Sequence, residues 1–239
     1  DDDKPTAEQQ PTSAPSTQAS PSKPSPELPA PQLTNKRMAL IGEEQFDGPA
    51  GSAPNSLYFD YDLGATGWGN EEKQTYTRDP ANVRLDGAGH LVIEAHRDGD
   101  SFTSARLVTR DKLWFEHGLV EARIKMPAGQ GIHPAFWMLG TNLNQVGWPE
   151  AGEIDIIEIV NTGLEFHNAI HGPMEADPSV EWKQSFDGPA GTDLSADYHV
   201  YQLYREPDHI KIAIDGVVRG EYAKASAPPG ARWVFDAPM

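Results

Sequence analysis

The chain has 239 residues, and its 36 acidic against 19 basic side chains give a formal charge of −17, with no cysteine. No Lys/Arg cluster offers a phosphate-binding stripe, which argues against nucleic acid as a partner, and the negative field disfavours sulfated or uronic polysaccharides relative to neutral ones. The lack of cysteine excludes a disulfide framework and a thiolate metal site, and no apolar run approaches the ~20 residues that cross a bilayer, so no membrane insertion is expected.

Residues 1–37 contain no aromatic residue, valine or isoleucine, and are rich in Pro, Ser, Thr and Ala. Such a segment buries too little apolar surface to offset its ordering entropy, so a disordered linker is expected there. Linkers of this composition commonly tether secreted or cell-surface domains, which places the expected location outside the cell or in the periplasm. The opening "DDDK" reads equally as a cloning remnant.

The remaining residues, 38–239, read as one all-β domain. Period-two stretches run through "HLVIEAHRD" (His90–Asp98), "FTSARLVTR" (Phe102–Arg110), "LVEARIKMP" (Leu119–Pro127), "YHVYQLYRE" (Tyr198–Glu206) and "HIKIAIDG" (His209–Gly216), with Gly, Pro, Asn and Asp between them. The "IDGV" step predicts a turn into a further strand. No window sustains the spacing of a long amphipathic helix. Many short strands in one domain predict an antiparallel sandwich or β-jelly roll.

"GEIDIIEIV" (Gly152–Val160) stands apart, because three acids lie within an Ile/Val run. In a regular strand Glu153 and Asp155 share a face while Glu158 points the other way. A β-bulge at Ile156–Ile157 would restore Glu158 to the face of the other two, leaving Ile154 and one bulge isoleucine for the core. Two Glu side chains leaning together could then bring their carboxyl groups to about 5–6 Å, the separation used by retaining glycosidases. In that chemistry one Glu attacks the anomeric carbon and the other gives a proton to the leaving oxygen. Crowding of three acids raises at least one pKa, which suits the proton donor. A solvated acidic face and a hard-cation site are the other readings of such a pattern; the Ile/Val flanks and the Trp of "GWPEAG" weigh against the first.

The blocks "GNEEKQTYT" (Gly69–Thr77), "NVRLDGAGHLVIEA" (Asn82–Ala95), "TSARLVT" (Thr103–Thr109), "HGLVEARIKMPAGQGIHPAFWMLG" (His117–Gly140) and "GWPEAGEIDIIE" (Gly147–Glu158), in this order, resemble glycoside hydrolase family 16, most of all its bacterial endo-β-1,3-glucanases, the laminarinases. The resemblance implies a jelly roll of two curved antiparallel sheets with a substrate cleft on the concave face, and a retaining mechanism. It implies Glu153 as nucleophile, Asp155 as assisting acid and Glu158 as acid/base. Trp148, Trp137, Arg106 and Asn70 match sugar-contacting positions, and His171 matches a His on the strand beside the acids. Each has a structural alternative: core filling for the tryptophans, an ion pair for Arg106, a turn for Asn70 and a structural role for His171. His133 stands where the family usually has an aromatic subsite wall, adding a titratable group. His167 and His171 share a strand face but lack a convincing third ligand, so no metal site is expected among the candidate residues. No cofactor is required, with allowance only for a structural calcium ion. The chain stops at "RWVFDAPM", where related sequences continue, so C-terminal strands are expected to be missing.

The expectation is therefore an endo-acting retaining β-1,3-glucanase, a monomer acting on a neutral β-glucan. The alternatives are a non-catalytic glycan-binding jelly roll, the same mechanism on another β-glucan or a galactan, and transglycosylation in place of hydrolysis.

Overall fold

The computed structural model describes residues 33–34 and 36–239. The expected linker up to residue 32 lies outside the described residues. At its end Leu33 is buried against Tyr204 and Ala213.

The first half of the chain forms seven short strands, β1 (Asp60–Asp62), β2 (Gln74–Tyr76), β3 (Val83–Leu85), β4 (Leu91–Ile93), β5 (His96–Asp98), β6 (Ser101–Ser104) and β7 (Arg106–Val108). The second half carries β8 (Gly118–Ile124), β9 (Ala135–Leu139), β10 (Glu153–Glu158), β11 (Glu165–Pro173), β12 (Glu181–Pro189), β13 (His199–Glu206), β14 (His209–Ile214) and β15 (Val217–Ala223). A short helix, α1 (Leu143–Val146), follows β9.

Two four-stranded antiparallel sheets, in the orders β12-β11-β10-β9 and β15-β14-β13-β8, make the sandwich. Their facing side chains form one core. Ile154, Ile156, Ile157 and Ile159 from β10 and its C-terminal edge, with Phe166, Ile170 and Trp182, meet Tyr201, Leu203, Ile210, Ile212, Ile214 and Tyr222. Alternation explains this division: on β11, Phe166, Asn168 and Ile170 turn inward, while His167, Ala169 and His171 turn outward.

The expected turn after β14 is a two-residue loop, Asp215-Gly216, with both residues at positive φ of 50° and 78°. This is the Asp-Gly hairpin geometry that matches strand twist. Two expected runs are divided. The stretch from His90 splits into β4 and β5, where the Asn82 side-chain amide takes the Glu94 carbonyl at 2.9 Å. The stretch from Phe102 splits at Ala105, where the chain leaves β5 and the parallel partner β2 to pair with β1. A strand that changes partners in this way makes a corner of a sandwich.

Candidate active site

The β10 register contains the extra residue that the acid spacing requires. Against β11, Asp155 pairs with Ala169 and Glu158 with His167, three steps against two. Against β9, Asp155 pairs with Trp137 and Glu158 with Ala135. Glu153, Asp155 and Glu158 therefore share one face with His171, Ala169 and His167. One detail differs from the sequence expectation: both Ile156 and Ile157 enter the core, at 1% and 0% exposure. At a bulge two residues oppose one on the partner strand, so both isoleucines can turn to the same side.

The turn before β10 completes the site. Gly147 and Gly152 both hold φ of +79°, and Ala151 N–H donates to Gly147 O at 2.9 Å, folding "GWPEAG" back on itself. A Cβ on Gly152 would lie 2.8 Å from a Val234 methyl, so no larger residue fits immediately before Glu153. This fold-back sets Trp148 above Glu153. The indole Nε1–H donates to Glu153 Oε2 at 2.8 Å, while 49% of the residue stays exposed.

Each acid has its own partner. Asp155, 3% exposed, meets His171 Nε2 at 2.8 Å, and His171 Nδ1 meets Glu181 Oε1 at 2.5 Å. Burial disfavours the charged imidazole, but the two carboxylate hydrogen bonds outweigh it and raise His171 to about 9. Glu153 is pushed up to about 8 by burial and then by the neighbouring Asp155 charge, with His171 and the Trp148 indole opposing. Glu158 meets His133 Nε2 at 2.8 Å. Burial works to raise Glu158, yet the His133 hydrogen bond and charge, followed by Lys183 and His171, hold it below its usual value. One group of this face thus resists losing its proton and another readily gives one up, with Asp155 in sequence between them.

The remaining expected contacts are arranged differently from one another. The Arg106 guanidinium lies between Trp68 and Trp137, 4.8 and 4.5 Å from their ring centroids, and 3.2 Å from Asp62. One face of Trp137 is thus covered by protein. Asn70 sits in the loop between β1 and β2, where its backbone N–H donates to Gly67 O at 2.9 Å and its amide reaches Glu72 at 3.4 Å. Glu153, Asp155 and His171 bring potential ligand atoms within 4.8 Å of one another, a donor set that could hold a divalent ion. The sequence reading anticipated no metal site there. An imidazole with two carboxylates is also not the all-oxygen shell typical of calcium. Sequence reasoning missed Glu181, Lys183, Trp68 and Asp62. Glu181 and Lys183 lie on β12, whose "EWKQSFDGP" has no apolar alternation to announce a strand beside His171.

Residues 69–239 match the family profile described as "Glycosyl hydrolases family 16". The chain is 34% identical over 210 residues to a β-glucanase of Rhodothermus marinus, an alignment covering 84% of this chain and 72% of that protein. It is 31% identical to glucan endo-1,3-β-glucosidase A1 of Niallia circulans over 84% of its own length, but spans only 33% of that relative. Among solved structures, the endo-β-1,3-glucanase of Pyrococcus furiosus superposes with a TM-score of 0.71 at 37% identity, covering 83% of this chain and 80% of that one. The laminarinase of Flavobacterium sp. UMI-01 superposes with a TM-score of 0.73 at 33% identity, covering 84% of each chain.

Proposed function

The chain belongs to glycosyl hydrolases family 16, and on that footing we propose that its acid-bearing face cleaves β-1,3-glucan internally by double displacement, with Glu153 as nucleophile, Glu158 as acid/base and Asp155 orienting Glu153. The β-1,3-glucan preference draws on the names of its relatives from Niallia and Pyrococcus and of the Flavobacterium laminarinase. The observation that carries the reading is the bulge, which turns the third acid toward the other two.

In the first step a Glu153 carboxylate oxygen bonds to the anomeric carbon. The glycosidic electron pair leaves with the departing oxygen, which takes a proton from Glu158. In the second step Glu158 removes a proton from water, the water oxygen bonds to the anomeric carbon, and Glu153 leaves as carboxylate. Two inversions return the β configuration.

The resting electrostatics must be reset by substrate. Glu153, raised to about 8, has to attack ionised; positive charge developing on the sugar ring favours that form, and cationic His171 and the Trp148 N–H stabilise it. The exposed Trp148 ring offers an apolar face for a pyranose, and its N–H ties that subsite to the nucleophile. Arg106 holds Trp137 and Trp68 as a wall. An extracellular or periplasmic setting suits a polysaccharide substrate.

The test is reducing-end release from laminarin by the wild type and Glu153→Gln, with laminarin binding measured in parallel. Glu153→Gln should bind and release nothing. Wild-type binding without release would make the chain a glycan-binding module and end this reading.

A further inference from the structure

We propose that His133 is a positioning residue that stores the proton Glu158 delivers to the leaving oxygen and takes it back from Glu158 after water attacks. The inference rests on the assignment of Glu158 as acid/base.

His133 occupies the loop between β8 and β9, two residues before Ala135, the cross-strand partner of Glu158. Its Nε2 lies 2.8 Å from Glu158 Oε1, and the side chains are 43% and 23% exposed. This is the one hydrogen bond that the described residues make to the Glu158 carboxyl. An aromatic wall at this position would need no such atom. The charged groups facing the pair come from every neighbouring element. Asp155 lies on β10, His171 on β11, Lys183 on β12 and Glu72 in the loop after β1, while the titratable His167 is the β11 cross-strand partner of Glu158 and Asp187 is the β12 partner of His167. Asp187 is itself engaged with His167 at 3.0 Å. The hydrogen bond to Glu158 raises His133 against burial, and the charges of Glu158, Glu72 and Asp155 add to it. Glu158 moves the opposite way. Near pH 6.5, the ordinary histidine value, the proton of the pair thus rests mainly on the imidazole.

The proton balance closes over one turnover. The proton crosses from Nε2 to Oε1, leaving neutral imidazole and a carboxylic acid. Rotation of the carboxyl group presents its O–H to the glycosidic oxygen, which takes the proton as it leaves with the bond's electron pair. Glu158 is now a carboxylate beside neutral His133. In the second half-reaction water gives Glu158 a proton, its oxygen bonds to the anomeric carbon, and the proton returns to Nε2. No other reactant is consumed.

This arrangement extends the working range upward. With His133 present, the acid form of Glu158 stays accessible until the pair loses its last proton, above the ordinary histidine value of 6.5. Without it, the alkaline limb belongs to a carboxyl group alone. The experiment is the pH dependence of kcat/KM on laminarin for wild type, His133→Gln and His133→Asn, each checked for folding by circular dichroism. A dinitrophenyl β-laminaribioside, whose leaving group needs no proton, serves as a second substrate under pre-steady-state burst conditions.

Both variants should move the alkaline limb of kcat/KM on laminarin to lower pH, because the last proton of the site is then held by Glu158 alone. The burst with the dinitrophenyl substrate should stay within about twofold, since that step uses no general acid. An unchanged alkaline limb on laminarin, or equal losses on both substrates, would overturn the inference. Glu158→Gln separates the two readings. If it cleaves laminarin normally, the acid/base assignment has failed; if it is inactive while the His133 variants keep the wild-type profile, only the role of His133 has failed.

Discussion

His171 is the group whose replacement the electrostatics predict most sharply. Its imidazole bridges Asp155 at 2.8 Å and Glu181 at 2.5 Å, with 12% of the side chain exposed, and its pKa is raised from 6.5 to about 9. A group raised in the folded state contributes stability that is fully present below the unfolded value and lost as pH climbs through the folded one. For His171 that window runs from 6.5 to about 9. Each unit is worth about 1.4 kcal/mol, so the ceiling is about 3 kcal/mol. Glu153, raised from 4.5 to about 8, works in the same direction over a lower window, losing its favourable neutral form as pH rises. Wild-type unfolding free energy should therefore decline between pH 6.5 and 9. His171→Gln keeps a hydrogen-bonding group but cannot carry the charge, and should flatten that decline by about 2–3 kcal/mol while remaining less stable than wild type at pH 6. Urea denaturation at pH 6, 7.5 and 9 provides the assay. A variant as steep as wild type across this range would refute the claim that a charged His171 holds the acids together.

The core beneath the site makes a second prediction. Ile157 is fully buried at the bulge, so Ile157→Ala should lower the unfolding free energy by about 2–4 kcal/mol in urea titrations. A loss below about 1 kcal/mol would mean that the bulge isoleucine does not pack as described. Trp148→Phe preserves an aromatic face but removes the 2.8 Å N–H bond to Glu153. A lost hydrogen bond to a charged acceptor costs about 1.5–3 kcal/mol, so kcat on laminarin should fall roughly tenfold to a hundredfold with a smaller change in KM. A pure KM effect would reduce Trp148 to a subsite wall.

Much of this site was legible because its logic is local. A period of two together with three acids at 153, 155 and 158 admits a common face only if one residue is bulged, and the β10 register contains that residue. Trp148 was marked as a sugar-contacting position by the family resemblance, and the fold-back of "GWPEAG" sets it beside Glu153. The Asp215-Gly216 hairpin was equally readable, since its residues determine the turn. What the sequence hid depends on pairing at a distance. Glu181 reaches His171 because β12 lies beside β11, and neither its identity nor the pattern of its strand signals that neighbour. Arg106 carries no local mark of the Trp68 and Trp137 rings on either side of it. Nor does the His133–Glu158 contact follow from a separation of 25 positions along the chain; it follows from the register of β9 on β10.

The central claim is that Glu153 attacks the sugar and is then displaced by water, with Glu158 on the same face serving both steps. Proton NMR of laminarin cleavage, recorded before mutarotation equilibrates the products, reads this directly. The account predicts that the newly formed reducing end appears first as the β anomer. Initial accumulation of the α anomer would mean a single displacement and would contradict it.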